Sequence, residues 1–307
     1  MKKLAIGLAI VALAATAAQA ATYTTASFVT TDWTTAGAWG TQPGYPGSLP
    51  NTDTARIQNS ATIDLTTTVP NQIANINIGR ASTIGTLNVQ SGANLIVQAG
   101  GNLNVGDTYI GYYNQNAGTV NVGSAFSVAT SLASGGSLAT INGGSLTVGT
   151  TLWAGKFGAG TLTVNGGTIV TRDFRIGDSN TVSQVNLNGG TVEVTGTGAI
   201  PYEINPNSVL SFQSEGTLII DNNFGIESLI AAQVAANDII WDNGSVVNTA
   251  IGSYAWDNGT GDYLHYKYDF GTNKSTVWVN QTIPEPATVG MLGLGSLIVL
   301  LVRRMRG

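Results

Sequence analysis

The chain has no cysteine and a single histidine among its 307 residues. The first absence removes disulfides, Cys-ligated zinc and thiol nucleophiles together. The second leaves any Ser-His-Asp or His-metal chemistry resting on His265 alone, inside the alternating aromatic run Tyr263-Leu264-His265-Tyr266-Lys267-Tyr268. No other member of a triad or metal site can be assigned with it, so it reads as an ordinary strand residue. Charge is scarce as well: Asp, Glu, Lys and Arg make up 9% of the chain. A chain so poor in Lys, Glu and Leu has little material for amphipathic surface helices. Its 40 glycines, with abundant Thr and Asn, suit strands joined by tight turns instead. A net charge of −5, with no basic cluster outside the two ends, argues against a nucleic-acid partner.

The two ends are where long apolar runs occur. Lys2 and Lys3 precede an apolar stretch from Leu4 to about Ala15, and small residues end in Ala18-Gln19-Ala20. That is the order of a secretory signal peptide, with cleavage expected after Ala20 so that Ala21 begins the mature chain. The stretch is too short for a retained transmembrane anchor, which needs about 20 apolar residues. At the other end Ile283-Pro284-Glu285-Pro286 leads into the uncharged run Ala287 to Val302 and then Arg303-Arg304-Met305-Arg306. As a helix the run is about 24 Å long, enough to span a bilayer that thins or lets the arginines snorkel. The arginines should stay cytoplasmic, which places everything before Pro284 on the outer side, in agreement with the signal peptide. Pro284 and Pro286 each fix their own φ and bias the residue before them away from the α region, so the chain just outside the membrane is held extended, as a protease substrate must be.

Pro-Glu-Pro, a short hydrophobic helix and a terminal Arg cluster together resemble the PEP-CTERM sorting signal, which an exosortase reads in Gram-negative bacteria that make extracellular polysaccharide. The resemblance covers residues 283–307. It implies that Pro284, Glu285 and Pro286 are recognition residues, that Arg303, Arg304 and Arg306 complete the signal, and that the hydrophobic tail is removed after sorting, as in GPI attachment. Loss of both ends takes Lys2, Lys3, Arg303, Arg304 and Arg306 from the 12 basic residues and Glu285 from the 17 acidic ones, leaving a body of net charge about −9.

Between the ends lies a repeat. Asn142-Gly143-Gly144, Asn165-Gly166-Gly167 and Asn188-Gly189-Gly190 recur every 23 residues. An alternating triplet precedes each turn (Ala139-Thr140-Ile141, Leu162-Thr163-Val164, Val185-Asn186-Leu187), and Leu146, Ile169 and Val192 restart the pattern after it. Leu152-Trp153-Ala154-Gly155 and Phe174-Arg175-Ile176-Gly177, 22 apart, add a third strand to the unit. Looser copies run upstream as Leu87-Asn88-Val89, Leu103-Asn104-Val105 and Val120-Asn121-Val122. Such a period signals a solenoid whose units bury their apolar faces only by stacking. Asn-Gly is also the strongest short hairpin signal, but a hairpin meander predicts no long three-strand repeat. The expected fold is all-β: a right-handed parallel β-helix with N- and C-terminal caps, the hand following the crossover rule, plus a C-terminal transmembrane helix in the precursor. The expected division is a signal peptide at 1–20, an N-terminal cap with first coils at 21–70, Gly-rich β-helix repeats at 71–198, a C-terminal β region or cap at 199–283, and the sorting signal at 284–307. About six coils are expected between residues 60 and 198. Trp33, Trp39 and the stretch Pro43 to Pro50 suit the N-terminal cap, and a short helix is expected near Ile226 to Ala236.

Catalysis on such a rod needs clustered charge. The nearest cluster is Arg172-Asp173-Phe174-Arg175 with Asp178, where alternation puts Asp173 and Arg175 on one face and Arg172 with Phe174 on the other. Ion pairing on a solvated surface accounts for it. Asp107 and Asp178 each follow a strand-ending Gly, but the repeating acidic spacing of a calcium β-roll is missing, so no metal and no cofactor is assigned. Asn243, Asn258, Asn273 and Asn280 each begin an Asn-X-Ser/Thr match. No C-terminal run of alternating ten-residue segments supports an autotransporter barrel. The sequence therefore points to a non-enzymatic surface or extracellular-matrix protein, structural or adhesive. Its expected partners are signal peptidase, an exosortase-type protease, the membrane and extracellular polysaccharide. A carbohydrate-binding module using Trp153, Tyr112, Tyr113 or Trp241 is the alternative. A polysaccharide lyase or hydrolase acting through Arg175 stands behind both.

Overall fold

Alternation of apolar and polar residues makes a strand with one wet and one dry face, and the computed structural model turns those dry faces toward one another. Leu162 and Val164 are fully buried, while the alternate residues Thr161 and Thr163 face outward. The structure describes residues 20–40, 42–50, 53–178, 181–196, 201–213, 215–221, 226–242, 253–257 and 263–279.

Two sheets wind through the body. The narrow one takes a strand from each coil: Thr30–Asp32, Ala61–Leu65, Gly85–Val89, Gly111–Gln115, Ser137–Ile141, Gly160–Val164, Gln184–Leu187, Val209–Gln213 and Ile239–Asp242. Six of its nine strands fall between residues 60 and 198, and the stack continues on either side. The broad sheet supplies the rest of each coil, as one strand in Ile73–Ile78 and as two in Thr119–Val122 with Phe126–Val128. In the coils after Phe126–Val128 these two merge into the single strands Ser145–Ala154 and Thr168–Ile176, which bend where the register slips between Val148 and Thr151. Every strand pairing between Thr22 and Asp242 is parallel, with each residue paired to its counterpart one coil away. The Asn-Gly-Gly turns therefore carry the chain from the narrow to the broad sheet and close no hairpin. The body is a parallel β-solenoid.

Stacking makes the core a set of columns. Ile63, Leu87, Tyr113, Ala139, Leu162, Val185 and Leu210 form one, all buried. Tyr113 is the large member, and the small Ala139 beside it leaves room for the ring, which meets Phe126 edge-on at 5.2 Å. A tyrosine here needs a partner for its hydroxyl, and Gln115, also buried, provides it. Tyr113 Oη donates to Gln115 Oε1 at 2.8 Å, and Gln115 Nε2 donates to the Ser145 carbonyl at 3.0 Å. Burial pushes the Tyr113 phenol far above its ordinary value, so it stays a donor at every physiological pH. Tyr113→Phe keeps the packing but strands a buried amide oxygen. It should cost about 1–3 kcal/mol, read as a lower urea midpoint at unchanged slope.

Both ends of the stack carry extra cover. At the first coil Trp33 donates from Nε1 to the Pro46 carbonyl at 3.0 Å, and Trp39 from Nε1 to the Trp33 carbonyl at 2.8 Å. Tyr23 Oη donates to the Pro43 carbonyl at 3.2 Å, so two buried aromatics, Tyr23 and Trp33, pin the Pro43–Pro50 stretch while Trp39 holds Trp33. At the far end the helix Glu227–Ala235 buries Ile230 and packs Ile226 and Val234 on the core. The chain then returns antiparallel: Lys274–Trp278 pairs with Thr217–Asp221, and Tyr263–Asp269 and Ser253–Asp257 extend the broad sheet outward. No helix among the described residues is long and apolar enough to cross a membrane, and the expected C-terminal helix lies outside the described residues.

Candidate functional site

The sorting residues Pro284, Glu285, Pro286, Arg303, Arg304 and Arg306 lie outside the described residues, as does Ala18. Ala20 is exposed, and Ala21 is partly buried against the first coil. Of the four Asn-X-Ser/Thr sites only Asn273 is described, in the exposed turn between two antiparallel strands. His265 is buried and stacked face to face on Trp278, with ring centroids 5.2 Å apart.

The aromatic candidates do not converge. Tyr113 is enclosed in the core and Trp241 is nearly so. Tyr112 faces out from the narrow sheet, Trp153 from the broad one. The Trp153 ring already has a partner: the Arg175 guanidinium lies over it, 5.2 Å from the centroid. Asp107 pairs with Arg80 at 3.4 Å and stands three coils from Asp178, so the two do not share a site. No three His, Asp or Glu residues among those described come together as a metal site would require.

The charged run at 172–175 departs from simple alternation. Thr171 and Phe174 both point inward, fully buried, so Arg172 and Asp173 face outward in succession. The cause is the bend in this strand, where Thr171 Oγ1 donates to the Asp173 carbonyl at 2.9 Å. Arg172, expected on the Phe174 face, instead bonds its neighbour Asp173 through Nε at 3.2 Å and Nη2 at 3.0 Å. Arg175 pairs away from Asp173, with Glu203 of the next coil at 3.4 Å.

Register assembles a constellation that sequence order hides. Register lines up one column along the second strand segment, Arg56, Asn77, Asn104, Ser127, Trp153, Arg175 and Glu203, in which Asn77 and Ser127 are themselves buried. At about 4.8 Å per coil it runs about 29 Å along the rod. Arg80 and Lys156 stand on the turn along one border, and Arg172 at the bend along the other. Of the seven Lys and Arg residues between 20 and 279, five thus lie on this face, and the other two, Lys267 and Lys274, sit on the antiparallel strands. Asp107, Asp173, Asp178 and Glu203 share the face, leaving it slightly cationic on an acidic protein. The imbalance is sharpest at its N-terminal end. There burial, and then the neighbouring Arg80 guanidinium, lower the Arg56 pKa, while the single carboxylate of Asp107 opposes them. Arg56 Nε, Ser127 Oγ and Arg175 Nε along the column have no protein acceptor.

A second array runs along the sharp turn. Asn116 Nδ2 donates to Gln90 Oε1 at 3.1 Å, and Asn142, Asn165 and Asn188 each donate from Nδ2 to the Oδ1 of the asparagine one coil earlier, at 2.8 Å. A shorter ladder on the narrow sheet joins Asp64, Asn88 and Asn114 at 2.7 and 2.9 Å. Only the Asn-Gly-Gly spacing betrayed the first ladder. Arg56 and Arg80, 24 residues apart, carried no local signal at all.

No curated protein and no solved structure matches the chain significantly. A family model does match its end, and the description of that family is the PEP-CTERM protein-sorting motif. The motif implies an exported protein, made as a membrane-anchored precursor and processed by an exosortase. The chain thus carries a PEP-CTERM protein-sorting motif at residues 282–306, attached to a β-solenoid body.

Proposed function

We propose that the mature protein is a non-catalytic surface or extracellular-matrix component that holds an acidic polysaccharide along the Arg56–Glu203 face. The observation that supports it is the gathering of five of the body's seven cations on one flat, regular face of an otherwise acidic rod. Paired guanidiniums suit carboxylate groups repeated along a polymer, since each offers a planar fork of donors. The neutral amides of Asn77 and Asn104, already bonded to each other at 2.9 Å, offer hydroxyl partners between the charged ends. In this reading the coil is right-handed, as the crossover rule requires of parallel strands in one sheet.

Binding of the purified protein to polygalacturonate, with neutral dextran as control, tests this. Polygalacturonate should bind and be released by salt, and dextran should not bind. Arg56→Gln with Arg80→Gln should weaken binding about tenfold or more, while Lys267→Gln should leave it unchanged. Equal affinity of the double variant, or equal binding of dextran, removes the assignment. Trp153 and Tyr112 support the alternative, an aromatic carbohydrate-binding module, less well, because they face out from different sheets and Arg175 covers Trp153.

A further inference from the structure

Asp53 begins its strand with no exposed surface. Its Oδ1 accepts the Ala21 N–H at 3.0 Å and its Oδ2 the Gly47 N–H at 3.1 Å. The Ala21 carbonyl accepts the Thr54 N–H at 2.8 Å, so both backbone groups of Ala21 are gripped by residues 53 and 54. Among the described residues no Lys, Arg or His lies within ion-pair distance of Asp53. A buried carboxylate supported by two neutral donors and no cation is incomplete. One residue before Ala21 stands Ala20, exposed, at the end of the small-x-small pattern Ala18-Gln19-Ala20.

We infer that Asp53 is the receptor for a new N-terminus made by cleavage between Ala20 and Ala21. Water hydrolyses that peptide bond: its oxygen completes the Ala20 carboxylate, and its two protons convert the Ala21 N–H to an ammonium. The ammonium nitrogen already sits where the amide nitrogen sat, so a neutral hydrogen bond becomes a buried ion pair without rearrangement. Through Gly47 the same carboxylate holds the Pro43–Pro50 stretch that Trp33 and Tyr23 pin from the other side. Removal of the leader then strengthens a closure of the first coil that the uncleaved chain already makes.

This inference rests on the export reading, and the mass of the protein recovered from its host separates the two. An N-terminus at Ala21 is expected. An exported chain beginning at another residue overturns the Asp53 assignment and leaves export standing, whereas Met1 retained in every fraction overturns both. Stability supplies the second readout. A free α-amine titrates near pH 7.7–8.0, and pairing with Asp53 raises that value in the folded chain. The contribution is therefore complete below the unfolded value and lost as pH rises through the folded one. Relative to a leader-retaining Ala20→Tyr chain, the Ala21 chain should melt about 5 °C higher at pH 7, and the gap should close by about pH 10. Asp53→Asn should abolish the gap. Should that variant not fold, the comparison of the two wild-type-Asp53 chains decides, and equal melting at pH 7 overturns the inference.

Discussion

Cells making the Glu285→Ala variant should accumulate a membrane-bound chain that keeps its tail, with processed product falling below about a tenth of the wild-type amount. The expectation follows from what the motif at 282–306 has to work with. Pro284 and Pro286 each fix their own φ, and Glu285 is the one charge between Thr282 and the terminal arginines. The substitution leaves both prolines and the apolar run of the sequence in place, so export should continue and recognition alone should fall. Intact mass of the membrane and released fractions reads the result directly. Wild-type cells should yield a chain without the Arg303–Arg306 end. A Glu285→Ala chain trimmed as efficiently as wild type would show that the acid is dispensable to the protease.

Gly167→Val should be among the most damaging substitutions in the body. Gly167 has φ +75°, and a Cβ there would lie 2.5 Å from the Gly144 carbonyl oxygen and 2.8 Å from the Gly143 carbonyl carbon. Both obstacles are backbone of the preceding coil, held by the Thr168 N–H to Gly144 carbonyl bond at 3.0 Å, so neither can swing aside. A β-branched residue adds left-handed strain to the clash, and together they should cost about 4 kcal/mol. Because each coil is the floor for the next, the loss should appear as a lower unfolding midpoint for the whole rod. An unchanged midpoint in chemical denaturation would contradict the stacking of these turns.

Period and alternation carried most of the architecture. The 23-residue spacing of Asn142, Asn165 and Asn188 set the coil, and Leu162 and Val164 against Thr161 and Thr163 set its inside and outside. Alternation failed at Arg172, because a bend consumes a residue without changing sides, and nothing local in Thr171-Arg172-Asp173 announces a bend. The Asn-Gly-Gly turns promised glycine's positive φ and supplied it at Gly144, Gly167 and Gly190, but the asparagines did something composition could not reveal. Their amides bond across coils, which depends on register rather than on neighbours in sequence. The cationic face was hidden for the same reason: Arg56, Arg80 and Arg175 are far apart along the chain and share a surface only once the strands are in register. Asp53 was unreadable too, since its partners at 21 and 47 come together only through the parallel pairing of Thr22–Thr24 with residues 54–56.

The asparagine ladder has a direction. At Asn142, Asn165 and Asn188 alike the later residue donates and the earlier one accepts. Between Gln90 and Asn188, a chain threading out of a membrane N-terminus first therefore has an acceptor oxygen in place when each of these asparagines arrives. Assembly can advance at the pace of translocation, each winding templated by the last, like a zip drawn from one end.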